Sequence, residues 1–407
     1  MKNLPLIVVL ALAALGVALA PAAAAPEAPL LGVVFDGGQG HLARLDPETL
    51  QPLRTSKFLT NGYAVGPVLS PDGTKVALGS TSFLGARIVD LDTLASEVDL
   101  RATGESGTHV AATAWPVPDR LLLTATRCCP ATAVLAALDP QAKRVLSVRR
   151  LRGTPVAAAR TTTGLAILVA PAAGIGAARL VLFDPARLRV VPLTVRAGRN
   201  LPPQAHPNGM TIGKQLLPGL AVDAAGGRAY VLTGSTGAVE IDLATGRARP
   251  HTLARRTVAK ALDGPRLDAR WLGNGLVALT GTIDHVQAKD NTLDYQAAPA
   301  GLTLVDVRTW KARVVDRDAT TIVVAGETLL ARGYAQRPPT SIRAFDLTGR
   351  PRFELTDVDP NAWLQAAGDR AYVGNRVLEL PSGRLLRRLA PGPRVSLLPT
   401  DGSQFPL

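Results

Sequence analysis

Two cysteines stand side by side, Cys128 and Cys129, and the chain has no others. Adjacent thiols with no third partner either pair with each other within one chain or stay free. A vicinal disulfide stiffens its own turn and staples nothing distant, so it would add little global stability. A rigid turn, a ligand contact and a redox pair all remain open for Cys128 and Cys129. Oxygen and nitrogen donors gather in two further stretches. Ile283–Ala300, IDHVQAKDNTLDYQAAPA, carries Asp284, His285, Lys289, Asp290, Asp294 and Tyr295; Arg199–Leu217, RNLPPQAHPNGMTIGKQLL, carries His206, Asn208 and Lys214. Asp284, Asp290, Asn291 and Asp294 are the hard donors that Ca²⁺ takes. Their spacing fits no EF-hand, and His206 with His285 lacks a third ligand for zinc. Neither an H-E-x-x-H zinc signature nor a G-x-S-x-G nucleophile elbow occurs. No cofactor is therefore expected, with a divalent metal such as Ca²⁺ as the alternative, and no catalytic residue is assigned.

Both stretches interrupt a repeat, and the repeat must position them. Pro218–Pro250 reads as four short strands, Gly219–Asp223, Arg228–Thr233, Gly237–Leu243 and Arg247–Thr252, divided by turns. One such sheet cannot bury its own faces, so copies must stack beside it. An apolar residue followed by an acid marks each copy. The acid falls at Asp46, Asp90, Asp139, Asp184, Asp242, Asp306, Asp346 and Glu379, with spacings of 44, 49, 45, 58, 64, 40 and 33 residues. These bracket a propeller-blade period of roughly 40–50 residues. An Asp that opens a turn accepts hydrogen bonds from the backbone just ahead of it. The eight carboxylates are thus expected to fix the hairpins between third and fourth strands rather than to do chemistry.

Two phrases carry a family resemblance. Residues 69–80, LSPDGTKVALGS, and residues 220–246, LAVDAAGGRAYVLTGSTGAVEIDLATG, resemble WD40-like and YVTN-type β-propeller repeats. The resemblance covers nearly all of the chain after the first thirty residues and implies an all-β propeller. It leaves function open, because repeats of this style host binding modules, lyases, lactonases and assembly factors. Eight four-stranded blades are expected, with seven as the alternative. Leu31–Asp36, His41–Leu45 and Gln51–Thr55 read as second, third and fourth strands with none before them. Arg394–Pro399 is expected to supply the missing innermost strand and close the ring.

Loops joining second to third strands, and one blade to the next, share one face of a propeller. The insertions 199–217 and 283–300 both fall on that face, on adjacent blades, as does Arg127-Cys128-Cys129-Pro130. Arg332, Tyr334 and Arg337 of the seventh blade would reach the same rim. Long insertions in a tight scaffold carry function or are merely tolerated. The candidate ligand-binding residues are His206, Asn208, Asp284, His285, Lys289, Asp290, Asp294, Tyr295 and Tyr334.

The N-terminus sets the compartment. Lys2 precedes the apolar run Leu4–Ala20, and small residues Ala22-Ala23-Ala24 offer a cleavage site. Residues 1–24 are read as a signal peptide, 25–30 as a short linker and 31–407 as a single propeller domain. The protein is expected outside the cytoplasm, in a periplasm or beyond the cell, with no transmembrane segment once the signal is removed. The net charge is +13, and 37 of the 45 basic residues are Arg. No Lys/Arg run or aromatic-basic interleaving points to nucleic acid. The leading expectation is a monomeric, non-catalytic scaffold that binds an extracellular protein, a small molecule, or an anionic glycan or other cell-envelope component. The alternative is a metal-dependent, lactonase-like or lyase-like enzyme with its site at the central channel.

Overall fold

The acid that ends each third strand sets the turn that follows. In a computed structural model, the Asp46 carboxylate accepts the Glu48 and Thr49 amides at 2.9 and 2.7 Å and the Thr49 hydroxyl at 2.8 Å. Asp90 holds the Thr93 amide and hydroxyl, both at 2.7 Å. Asp139, Asp184, Asp242, Asp306 and Asp346 each accept an amide two or three residues ahead. Glu379 is one methylene longer and binds the Ser382 hydroxyl and the Arg384 guanidinium instead. Four residues past the acid the backbone turns left-handed, at Leu50, Leu94 and Trp310 (φ 54°, 54° and 56°) and at Gly246 and Gly383 (φ 73° and 74°). At each of these five positions the amide returns to the acid's own carbonyl, at 2.7–2.9 Å. A side chain in that region costs roughly 1–2 kcal/mol, which glycine avoids. The Thr-Leu or Thr-Gly that follows Asp46, Asp90, Asp242 and Asp346 is therefore a turn requirement.

The structure describes residues 30–36, 39–59, 63–103, 108–127, 131–200, 214–234, 236–253, 265–289, 292–333, 340–359, 362–390 and 394–398. They form eight antiparallel sheets, each built on four strands in simple order from the axis outward, with a fifth strand added in two of them. The fifth blade is Gly219–Asp223, Arg228–Leu232, Gly237–Asp242 and Ala248–Thr252. The protein is an eight-bladed β-propeller, as the eight repeats predict, and the seven-bladed alternative falls away. Residues 1–29, including the expected signal peptide, lie outside the described residues.

The second and third strands are buried on both faces. Leu165–Ala170 is buried throughout, whereas the outer strand Leu385–Arg388 is exposed throughout. Apolar side chains from facing blades form one core per junction. Leu121, Leu123 and Val134 of the third blade pack on Val68, Ala77 and Ile88 of the second; Leu272 and Ala278 of the sixth meet Leu329 and Ala331 of the seventh.

The last junction closes the ring. Arg394–Leu397 pairs antiparallel with Leu30–Asp36 as the innermost strand of the first blade, with Gly32 opposite Leu397 and Phe35 opposite Arg394. Gln365, on the innermost strand of the eighth blade, grips it from the side. Its amide donates to the Leu397 carbonyl at 3.2 Å and accepts the Leu397 amide at 2.8 Å. Tyr372 is fully buried beside it and donates to the Pro47 carbonyl of the first blade at 2.8 Å.

Two predictions follow from these contacts. Tyr372→Phe leaves a buried carbonyl without its donor, and should cost about 1–3 kcal/mol of stability in denaturant unfolding; an unchanged midpoint would contradict the closure described. The turn acids set the second. The Thr245 amide and hydroxyl, with Arg228, hold Asp242 down to about 2, and Arg384 with Ser382 holds Glu379 down to about 2. A carboxyl depressed in the folded state stabilises above its unfolded value, near 4, and loses that contribution as pH falls towards 2. Melting temperature should be flat from about pH 7 to 5 and fall between about pH 4 and 2. Asp242→Ala should flatten part of that fall.

Candidate binding face

Two hairpins outgrow the repeat. The outer strand of the fourth blade runs Leu188–Asn200, and the second strand of the sixth runs Leu276–Lys289, thirteen and fourteen residues where the fifth blade uses five. Both overrun towards the same face. Asn200 pairs with Lys214 and Gly198 with Leu216, so a fifth strand, Lys214–Leu216, returns along the fourth blade. Leu276–Lys289 turns back as Thr292–Pro299, an extra strand that precedes the third strand of the sixth blade. The stretch read as a loop is thus a β-ribbon at the level of its backbone. Its polar residues obscured the cue: Thr280, Thr282, Ile283 and Val286 on one side and Thr292 and Tyr295 on the other are strand formers flanking Asp290-Asn291.

The two insertions share one foundation. The amide of Leu217 donates to the Pro265 carbonyl at 2.9 Å, and the Leu267 amide donates to the Leu217 carbonyl at 2.9 Å. Leu217 thereby makes a parallel bridge to Arg266, on the innermost strand Pro265–Gly273 of the sixth blade. Pro265 in turn pairs with Ile283, the last residue before the ribbon's polar segment. Three chains lie abreast at this point: the end of the first insertion, the innermost strand and the start of the second. Gly281 lets them close up, because a Cβ there would strike the Arg266 carbonyl oxygen, and its φ of 143° suits only glycine.

The backbone register sets Asp284 opposite Ala297, His285 opposite Gln296, Gln287 opposite Asp294, Val286 opposite Tyr295 and Lys289 opposite Thr292. These five candidates therefore stand on one ribbon. His206, Asn208, Asp290, Tyr334, Cys128 and Cys129 lie outside the described residues. The strands that bracket the two cysteines, Arg120–Arg127 and Thr132–Asp139, end and begin on the insertion-bearing face. Arg332 is half-buried at the same end of the seventh blade's second strand. Burial pulls its guanidinium below the usual value, and nearby Asp359 opposes that shift. Among the described residues, no group of three or more His, Cys, Asp or Glu is placed to hold a metal ion.

One cluster was invisible in the sequence. Between the fifth and sixth blades, at the opposite face, Arg228 pairs with Glu240 at 3.3 Å and with Asp242. His251 meets Glu240 at 3.2 Å and stacks on Trp310, ring centroids 3.8 Å apart at 12°. Tyr230 stacks on Trp271 at 5.5 Å. A cavity of about 160 Å³ opens there among Arg228, Glu240, Asp242, Thr245, Arg247 and Arg249. Arg228, Glu240 and Asp242 satisfy one another within the fifth blade, and the stacks of His251 on Trp310 and Tyr230 on Trp271 fasten the sixth blade to it. The alternation of Ala238, Glu240 and Asp242 was the available signal, but the ring partners come from the next blade.

No protein-family model matches the sequence, and no curated protein sequence does. Solved structures do. The chain is similar to a dihydro-heme d1 dehydrogenase, NirN, in complex with DHE, at 15% identity and a TM-score of 0.56, over 90% of this chain and 74% of that one. It is also similar to BamB from Moraxella catarrhalis, at 13% identity and a TM-score of 0.43, over 86% and 89% of the two chains. A third likeness is to the Cps50 (Swd1) β-propeller domain of Myceliophteria thermophila, at 14% identity and a TM-score of 0.40, over 83% and 98%. At such identities the NirN likeness speaks for the fold alone.

Proposed function

We propose that this propeller is a secreted, non-catalytic scaffold that captures a partner on the face carrying the insertions 199–217 and 283–300. The observation that supports this reading is the shared foundation. Leu217, Pro265–Leu267 and Ile283 lie abreast, so the insertion that leaves the fourth blade ends where the one on the sixth begins. Rigid elements beneath projecting segments are what a binding surface needs, because little order must be gained on association. His206, Asn208, Asp284, His285, Lys289, Asp290, Asp294, Tyr295 and Tyr334 are the residues assigned to contact the partner. That partner is an extracellular protein, a small molecule or a cell-envelope component. Residues 1–24 act as the signal peptide, and the ring works as a monomer.

The reading is tested by shortening. Replacing residues 201–213 by a tight turn, and separately trimming the ribbon 284–297, should leave the melting temperature within a few degrees of the parent, since the described residues of the eight interblade cores include none from either segment. Each trimmed protein should lose saturable capture of the ligand that the parent retains from extracellular extract. Capture retained in full by both would overturn the proposal. On this account chelation leaves melting unchanged, whereas a marked fall would favour a metal-dependent enzyme.

A further inference from the structure

The chain's positive charge is not spread evenly. The eight outer strands carry sixteen Lys and Arg against five Asp and Glu, a large part of the net +13. Three consecutive outer strands, Arg144–Arg152, Leu188–Asn200 and Ala248–Thr252, hold eight of those basic residues and no acid at all. Arg149, Arg150, Arg152, Arg196 and Arg249 are exposed. Among the described residues, neither Arg149 nor Arg249 has a carboxylate partner. The three strands form one continuous rim. Leu146 and Leu151 of the third blade pack in the same core as Leu188 of the fourth, and the Arg189 guanidinium donates to the Ala244 carbonyl of the fifth at 2.6 Å.

We propose that this rim of the third, fourth and fifth blades docks an anionic polysaccharide. Unneutralised arginines attract polyanions and release their condensed counterions. Shape decides among the polyanions. Three of eight blades sweep more than a quarter of a circle, a convex arc. Screening limits each charge to a reach of about 8 Å at physiological salt, so a flat bilayer engages one blade's arginines while a flexible chain follows all three. The three strands contain no Phe, Trp or Tyr. They therefore lack the aromatic anchors of membrane-surface proteins and the stacking platforms of single-strand nucleic-acid binders. The rim lies around the edge of the ring; only the end of Leu188–Asn200 runs on to the insertion-bearing face, and the inference does not rest on the function proposed for that face.

The test uses fluorescence anisotropy with labelled polygalacturonate, a linear polyuronate, titrated with the full-length secreted protein. The parent should bind saturably, with affinity falling steadily as salt rises. Arg149→Glu with Arg249→Glu should weaken binding by about tenfold or more. Lys311→Glu with Arg352→Glu makes the same change in net charge on the sixth and seventh blades, and should weaken it by less than about threefold. Equal losses in the two pairs would mean diffuse attraction and overturn the docking rim. So would absence of saturable binding, or tighter binding of phosphatidylglycerol vesicles or a single-stranded oligonucleotide. Melting verifies the fold of each variant. If the arc pair does not fold, Arg149→Gln with Arg249→Gln takes its place, read by whether its loss exceeds that of Lys311→Gln with Arg352→Gln.

Discussion

Pairing of Arg394–Leu397 with Leu30–Asp36 is the constraint on which this molecule depends. Without it the first blade loses its innermost strand and the eighth blade faces nothing. Every blade buries its second and third strands between two neighbours, so an open ring would expose apolar surface at both broken ends. Closure also removes the two long strand edges that invite association between chains. The contacts that enforce it are specific. Gln365 holds Leu397 through both its amide and its carbonyl, as a neighbouring strand would, and Tyr372 ties the eighth blade to Pro47.

A closed ring gives the insertions a fixed base. In a single sheet, a fourteen-residue strand with half its length beyond the core would have no defined direction. Here Leu276–Lys289 is anchored by Pro265–Gly273 on one side and by Leu302–Asp306 on the other before the ribbon departs. The first insertion is tied to the same innermost strand through Leu217. The opposite face is held by another means. There the turn acids organise their own backbones, and the stack of His251 on Trp310, with His251 held by Glu240, clamps two blades together. One face is thus spent on turns, and the other is free to vary.

The architecture was legible because propeller physics is written locally. Asp46, Asp90 and Asp242 mark turns whose hydrogen bonds reach only two or three residues ahead. The absence of a strand before Leu31 and the surplus strand at Arg394 identified the closure. The function-bearing parts were less legible. The meeting of Leu217 with Arg266 is a parallel bridge between distant segments, set by how neighbouring blades pack. The stacking of His251 on Trp310 has the same origin. In the ribbon, Asp284, His285, Lys289 and Asp294 read as loop because polarity outweighed the strand formers among them, and pairing across Asp290-Asn291 supplies the missing cause. The excess of arginine was visible as composition, but its concentration on the outer strands of three adjacent blades required the fold.

The claim that two insertions share one foundation is tested most directly by amide hydrogen exchange at Leu217 and Leu267 in the intact protein. Their amides donate to Pro265 and to Leu217 across the base of both insertions. If the foundation is real, both exchange as slowly as the core amides of Gly219–Asp223, and trimming the ribbon 284–297 speeds exchange at Leu217 although no residue near it in sequence has changed. Fast exchange at Leu217 in the parent, with the core strand still protected, would mean that the insertions stand apart and present no common surface.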